Sequence, residues 1–328
     1  MNVDSNKPLI SVIIPAYNAE ETIVRACNSI LTQSYDNVEL VVVNDGSKDA
    51  TAQIIDSIAQ TDARVKCIHQ HNQGVCKARN VGMDCATGDY VFFLDADDAL
   101  AECCLKKMLS IAQENDADVI TGCFKHIEPD GKKYDVLFPL DADLCVWENK
   151  TSLAYALKDH PATHSACAKL YRKDKFSDIR FVEGKHIHED GFYVFEVCKK
   201  LPKMIVINDV VVLRYMKKVG AINREWKDSF LDILYFAKRK YSEVELEFPE
   251  FIPLARNILV KAGLALINSL RLIDDPRATA AEKESVSIIR KNAGFFIPAV
   301  KRDWLRFAFA YMGIYKIYKM IYRAKYNS

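Results

Sequence analysis

No two cysteines in this 328-residue chain are separated by two residues, although there are ten of them and Cys103 and Cys104 are adjacent. That missing spacing is the one that builds most cysteine zinc and redox sites, so neither is expected, and the ten read as reduced thiols of a cytosolic protein. Charge of one sign is missing too: 45 Lys and Arg face 44 Asp and Glu, a formal +1. A nucleic-acid binder normally carries a basic excess, so that class is set aside. No uninterrupted apolar run reaches the length of a bilayer span. The first eight residues are polar, unlike a cleavable signal segment. Internal repeats and low-complexity tracts are absent as well. What is present is a chain half apolar, enough to bury one large core and a smaller second unit.

Short β-branched runs at 9–14, 38–43, 65–69, 90–94 and 119–124 alternate with stretches of helical spacing at 22–33, 51–61 and 102–114. The runs are apolar on both faces, as strands buried between helices are, so a mainly parallel sheet flanked by helices is expected. Between 125 and 150 the pattern loosens into Pro, Gly and charged residues, an excursion before strands resume at 169–172 and 204–213. From about residue 224 the pattern is helical. The expected organisation is an α/β catalytic domain over 1–223 and a helical region over 224–328.

In an open parallel sheet, ligands bind beyond the carboxyl ends of the strands. Four such places are polar here: Pro15-Ala16-Tyr17-Asn18, Asn44-Asp45-Gly46-Ser47, Asp95-Ala96-Asp97-Asp98, and a later His188-Glu189-Asp190-Gly191. Three carboxylates within Asp95–Asp98 repel one another unless a cation sits among them, and hard oxygen ligands suit Mg2+ or Mn2+. If strand alternation continues, Asp95 and Asp97 share a side, one for the metal and one for donor sugar or ribose. The competing reading is a cap on the following helix. Asp45 sits in an ordinary turn signature or accepts the imide N–H of uracil; Tyr17 is core or a stacking platform for a base. Gly74 opens a helix whose first N–H groups favour an anion, with Ala78, Lys77 and Arg79 following, and both cations are placed near a diphosphate. Lys77 reads equally well as a solvated lysine. Glu189 and Asp190 are either caps or an acid–base pair, and His188 is either a structural histidine or a contact to metal or acceptor. A sugar-phosphate nucleotidyltransferase would be expected to open with a Gly-rich phosphate loop, and Pro15-Ala16-Tyr17-Asn18 is not one.

Taken in order, residues 12–18, then 43–47 with Asp49 and Thr51, then Gly74 with 78–80, then 88–90 with 94–98, and finally Glu189 and Asp190, resemble the family 2 glycosyltransferases of the bacterial surface-polysaccharide type. The resemblance covers about residues 8–215. It implies a GT-A, Rossmann-like fold. It implies that Asp95, Ala96 and Asp97 bind a nucleotide sugar through Mn2+ or Mg2+ ligated by Asp97. It implies that Asp45 holds the base with Pro15, Ala16, Tyr17 and Glu20 around it, that Lys169 lies toward the acceptor, and that Asp190 is the general base. The activity implied is transfer of a hexosyl or N-acetylhexosaminyl group, with inversion, from a nucleotide-diphosphate donor such as a UDP-sugar. The acceptor implied is a hydroxyl of a glycan or lipid-linked molecule in surface polysaccharide synthesis. A carbohydrate-binding scaffold that keeps the fold without turnover is the alternative. After 213 the family's usual Tyr- and Arg-containing loop gives way to residues 214–221, where Lys217 or Lys218 is expected near the diphosphate.

Residues 290–328 carry nine Lys or Arg against one acid, Asp303. On an ideal helix advancing about 100° per residue, Lys301, Arg302, Arg306, Lys316, Lys319 and Arg323 share one arc. Trp304, Phe307, Tyr311, Ile314, Tyr318, Ile321 and Tyr322 share the other. The pattern reads as a helix lying on an anionic membrane, peripheral on its cytoplasmic face, or as one packed on the protein with its basic side in water.

Overall fold

The structure is a computed structural model that describes residues 7–138, 140, 142–216, 225–298, 301–313 and 317. The first elements alternate: β1 (Ile10–Ala16), α1 (Ile23–Leu31), β2 (Val38–Asp45), α2 (Thr51–Thr61), β3 (Val65–Gln70), α3 (Val75–Cys85) and β4 (Tyr90–Phe93). Next come β5 (Ala99–Leu100), α4 (Cys104–Glu114), β6 (Val119–Ile127), β7 (Lys133–Val136), β8 (Leu144–Trp147) and α5 (Thr151–Lys158). Then follow β9 (Lys169–Arg172), α6 (Lys173–Phe176), α7 (Glu189–Lys199) and β10 (Met204–Tyr215). The described chain ends in α8 (Asp232–Glu247), α9 (Ile252–Leu270), α10 (Pro276–Asn292) and α11 (Lys301–Tyr311). By contacts the chain divides into two compact units. One holds the ten strands with α1–α4, α6 and α7; the other holds α8–α11 with residues 157–159 and 186–188. The expected boundary at 223/224 lies outside the described residues.

The sheet runs β3-β2-β1-β4-β9-β6-β10-β5. Strands β3, β2, β1 and β4 are parallel. Strand β9 then enters antiparallel between β4 and β6, so the sheet is mixed beyond its first four strands. Every residue of β2 and all but Pro15 of β1 are buried or nearly so, as a parallel sheet covered on both faces requires. Helix α1 buries Ile23, Ala26, Cys27 and Ile30, the one-sided spacing of an amphipathic helix. Two glycines permit close approach. A Cβ on Gly82 would meet Ile13 Cγ2 at 2.3 Å, and one on Gly88 would meet the Leu9 carbonyl oxygen at 2.6 Å. The loop that launches β4 is tied down by buried Glu39, whose carboxylate accepts hydrogen bonds from Ser11 Oγ, Thr87 N and Gly88 N. That anchor fixes where β4 begins and therefore where Asp95 emerges.

The loosely patterned stretch after 125 contains two strands: β7 pairs antiparallel with β6 through a turn at Gly131, and β8 pairs with β10. Strand β7 is largely exposed, so it lacks the apolar alternation that would mark it. In the second unit, Ile233, Leu234 and Ala237 of α8 pack with Leu259, Leu266 and Leu270 of α9 and with Ala278 and Ala281 of α10. Helix α10 starts where Asp275 caps it by accepting from Arg277 N, with Pro276 at the first position. No helix of the described residues is long and apolar enough to cross a membrane.

Candidate active site

Because β1, β2 and β4 run parallel, their carboxyl ends share one edge: Ala16 is in register with Asn44, and Leu94 N donates to the Ile13 carbonyl. Tyr17, about half exposed, stands at this edge after Pro15 and Ala16. Asp45 is 3% exposed. Its Oδ1 accepts from Gln70 Nε2 at 2.7 Å and from Gln73 N at 2.8 Å, and its Oδ2 accepts from Gly74 N at 2.8 Å. The anion that occupies the amino end of α3 is thus the protein's own carboxylate, with one acceptor position left on Oδ2. Gly74 is the capping residue there, with φ +90°, and Gly46 takes φ +71° where a Cβ would meet Asn72 N at 2.6 Å. Glu20 is spent differently from the expectation: its Oε2 accepts from Ala50 N, and its own amide donates to Asp49, which holds the 18–20 and 47–51 loops together.

The acidic segment is a turn, closed by Asp98 N donating to the Asp95 carbonyl, so strand alternation stops at Phe93 and does not relate Asp95 to Asp97. Nor do these acids cap a helix, since β5 intervenes before α4. The three carboxylates have separate tasks. Asp98, 2% exposed, accepts from Tyr215 N and faces Arg214 Nε at 3.4 Å. Burial first, and then Asp95, push its carboxyl up to about 7 against the pull of Arg214. Asp95 pairs with Arg79 at 2.9 Å. Asp97, between them and part-exposed, has its carbonyl fixed by Arg25 Nη2 at 2.7 Å.

Arg79 is the centre of the site. Sequence spacing places it at a diphosphate; instead it is 3% exposed and held by the protein's own acids. Its Nη1 lies 2.5 Å from Asp190 Oδ1 and 3.7 Å from Glu189 Oε1, its Nη2 lies on Asp95, and its guanidinium faces the Phe181 ring at 5.1 Å. Burial works against its charge, but Asp190 and Asp95 outweigh it and raise its pKa well above the usual arginine value. One cation among three acids leaves negative charge in excess. Part of it is removed at Glu189, whose carboxyl is pushed up to about 7 by burial and then by Asp190.

Asp190 stands in the first turn of α7. Its Oδ2 accepts from Ser165 Oγ at 3.2 Å and from Ala166 N at 3.3 Å, so Oδ1, bonded to Arg79, keeps a lone pair for a further donor. Arg25, Ser165 and Phe181 escaped the sequence reading, and Arg214 entered it only as the first residue of the 214–221 loop; none carries a local signal, since each acts on a partner far along the chain. Lys77, Lys169 and His188, the remaining expected residues, are placed in three different ways. Lys77 is two positions from Arg79, roughly 200° around the helix, and pairs with Glu183 at 3.1 Å. Lys169 is 1% exposed inside β9 and faces no open surface where an acceptor would lie. His188, exposed and at φ +67°, precedes α7 in an irregular segment and not on a strand face. Lys217 and Lys218 lie outside the described residues.

Among the described residues, no group of three or more His, Cys, Asp or Glu side chains is arranged to hold a metal by itself. The donor set fits a looser mode. With Asp98 buried against Arg214, part-exposed Asp95 and Asp97 remain at the edge. Mg2+ and its analogues are commonly held by one or two carboxylates plus substrate phosphates.

A sequence model described as "Glycosyl transferase family 2" matches residues 11–180. Glycosyltransferase GlyG of Streptococcus pneumoniae serotype 4 is 32% identical over 228 residues, which cover 66% of this chain and 73% of GlyG. Glycosyltransferase GlyA of the same organism is 32% identical over 230 residues, 69% of this chain but only 33% of GlyA. Among solved structures, S. aureus TarS 1–349 in complex with UDP-GlcNAc superposes with a TM-score of 0.71 at 20% identity, covering 97% of this chain and 91% of that one. The structural likeness establishes the same fold: a central sheet flanked by helices, the GT-A arrangement, followed by a helical region.

Proposed function

The chain belongs to glycosyl transferase family 2, and from that premise we propose an inverting transfer of a hexosyl or N-acetylhexosaminyl group from a UDP-sugar to a hydroxyl of a glycan or lipid-linked acceptor. The observation that carries this reading is the span of a single guanidinium. Arg79 joins Asp95, at the donor edge of the sheet, to Asp190, at the start of α7. A base candidate is thereby fixed beside the place where the donor's reacting end would lie. Asp190 Oδ1 takes the proton of the acceptor hydroxyl. The acceptor oxygen forms a bond to the anomeric carbon on the face opposite the diphosphate, and the bond from that carbon to the diphosphate breaks, inverting the centre. No carboxylate nucleophile is required. Asp97, with Asp95 beside it, would hold Mn2+ or Mg2+, and that ion supplies charge neutralisation of the departing UDP. Tyr17 and the free acceptor position of Asp45 offer a stacking face and a partner for the uracil imide. The donor assignment draws on the UDP-GlcNAc bound by the TarS neighbour.

Thermal unfolding with UDP, with GDP and with neither, each with and without Mn2+, tests the donor and the metal together. Ligand at a hundred times its dissociation constant adds about 2.7 kcal/mol, a rise of about 5–10 °C for a domain of this size. UDP with Mn2+ is expected to give that rise in the wild type and not in Asp97→Ala. A larger rise with GDP would replace the donor assignment, and no rise with either would favour a scaffold without turnover.

We place the protein at the cytoplasmic face of an anionic membrane during surface polysaccharide synthesis. Supporting this, Trp304 and Tyr311 are about half exposed, and Trp304, Phe307 and Tyr311 join Phe296 in one aromatic cluster. Residues 314–316 and 318–328, with Lys316, Lys319 and Arg323, lie outside the described residues. Cosedimentation with phosphatidylserine-containing vesicles, but not with neutral ones, is the expected outcome; equal recovery with both, or with neither, would remove the membrane from the proposal.

A further inference from the structure

We propose that Lys169 is a positioning residue for Asp190, a buried ammonium that clamps the Ser165–Ala166 segment against the carboxylate of the base. The inference rests on the reading of Asp190 as that base. Lys169 opens β9, opposite Thr121 of β6, and is 1% exposed. Its Nζ donates to the Ser165 carbonyl oxygen at 2.6 Å. From the same residue, Ser165 Oγ donates to Asp190 Oδ2, and the next amide, Ala166 N, donates to the same oxygen. The Ala166 carbonyl is in turn held by Tyr171 Oη at 3.0 Å, and Cys167 N donates to Ser165 Oγ at 3.2 Å. The two carbonyls of the Ser165–Ala166 segment are thus tied to β9, and the Ser165 hydroxyl and Ala166 amide to Asp190.

Two physical facts make this more than a packing detail. The first is cost. Taking an ammonium out of water carries a penalty of several kcal/mol unless partners compensate, and an apolar side chain of equal length would fill the same hole without it. Burial accordingly pulls the Lys169 ammonium down to about 8, with Cys167, Cys198 and Asp190 opposing that pull and Arg214 adding to it. Fold stability alone gives no reason for a lysine at this position. The second is strain. Ala168, between the clamped segment and β9, has φ +59°, a left-handed conformation that costs a non-glycine residue about 1 kcal/mol or more. A segment under strain relaxes unless it is fixed at both ends, and its relaxation would withdraw two donors from Asp190. A shift of this kind, on the order of 1 Å, costs about 100-fold in rate.

The test uses Lys169→Met and Ser165→Ala in the full chain, measuring UDP release from UDP-GlcNAc, UDP affinity, the unfolding midpoint and amide hydrogen exchange. Lys169→Met is expected to unfold at or above the wild-type temperature and to bind UDP within about twofold of wild type, while kcat falls about 10- to 100-fold. Exchange at the Ala166 and Cys167 amides is expected to accelerate in Lys169→Met. Ser165→Ala is expected to lower kcat in the same way with donor binding intact, and it decides the matter if Lys169→Met does not fold. A kcat within about twofold of wild type, or a loss of UDP affinity in step with kcat, overturns the clamp. If the wild type releases no UDP from any donor, the proposed function fails and exchange alone decides the clamp. Unchanged protection at Ala166 and Cys167 in Lys169→Met would then overturn it.

Discussion

Asp190→Asn is expected to slow sugar transfer by about 10²- to 10⁴-fold, the usual worth of a positioned general base, with UDP bound as tightly as by the wild type. The substitution is nearly isosteric. An amide oxygen still accepts from Arg79, which keeps Asp95 and Glu189, while the new Nδ2 can donate to Ser165 Oγ and leaves the Ala166 amide without this acceptor. What disappears is the basic oxygen that takes the acceptor's proton. On the proposed function UDP, which lacks the sugar, would meet Tyr17, Asp45 and the Asp95–Asp98 turn and would make no use of that oxygen. Steady-state UDP release and a calorimetric UDP titration on the same preparations read the two quantities separately. A parallel loss of both would mean that Asp190 holds the donor or the fold, and an undiminished rate would move the base elsewhere.

The second large effect is on stability. Arg79→Met is expected to cost about 3–5 kcal/mol, because removing one partner of a buried ionic cluster strands the others. Asp95, Glu189 and Asp190 would be left together without a cation, all of them at least partly withdrawn from water. At this domain size the unfolding midpoint falls by about 10 °C or more, and transfer is lost with it. Arg79→Lys separates the two roles proposed for this residue. A point charge cannot bridge Asp95 and Asp190 as a planar fork does, so the bridging role predicts a clear loss of stability and rate even with a cation retained. Were Arg79 instead a ligand of the donor diphosphate, Arg79→Lys would weaken UDP binding with the unfolding midpoint nearly unchanged.

Much of the first unit was legible because the sequence states local periodicity directly. Residues 38–43 are apolar at every position but Glu39, so they belong inside a sheet covered on both faces, and β2 is buried throughout. Once the sheet is parallel, the residues after β1, β2 and β4 must meet at one edge, which is why Tyr17, Asp45 and Asp95 were found without a structure. Strands β7 and β8 escape a sequence reading for different reasons: β7 is largely exposed and lacks an apolar pattern, and the four residues of β8 are marked by pairing with the distant β10. The charges were the least legible of all. Helical spacing alone says that Lys77 and Arg79 face different ways, but not which one faces the acids. Strand alternation says that Lys169 lies on one side of β9, but not that this side is sealed. Arg25 reaches the Asp97 carbonyl across 72 positions, Arg79 reaches Asp190 across 111, and Arg214 reaches Asp98 across 116. A side chain's sequence neighbours fix its secondary structure, whereas its electrostatic partners are fixed by which elements pack together, and only the folded sheet decides that.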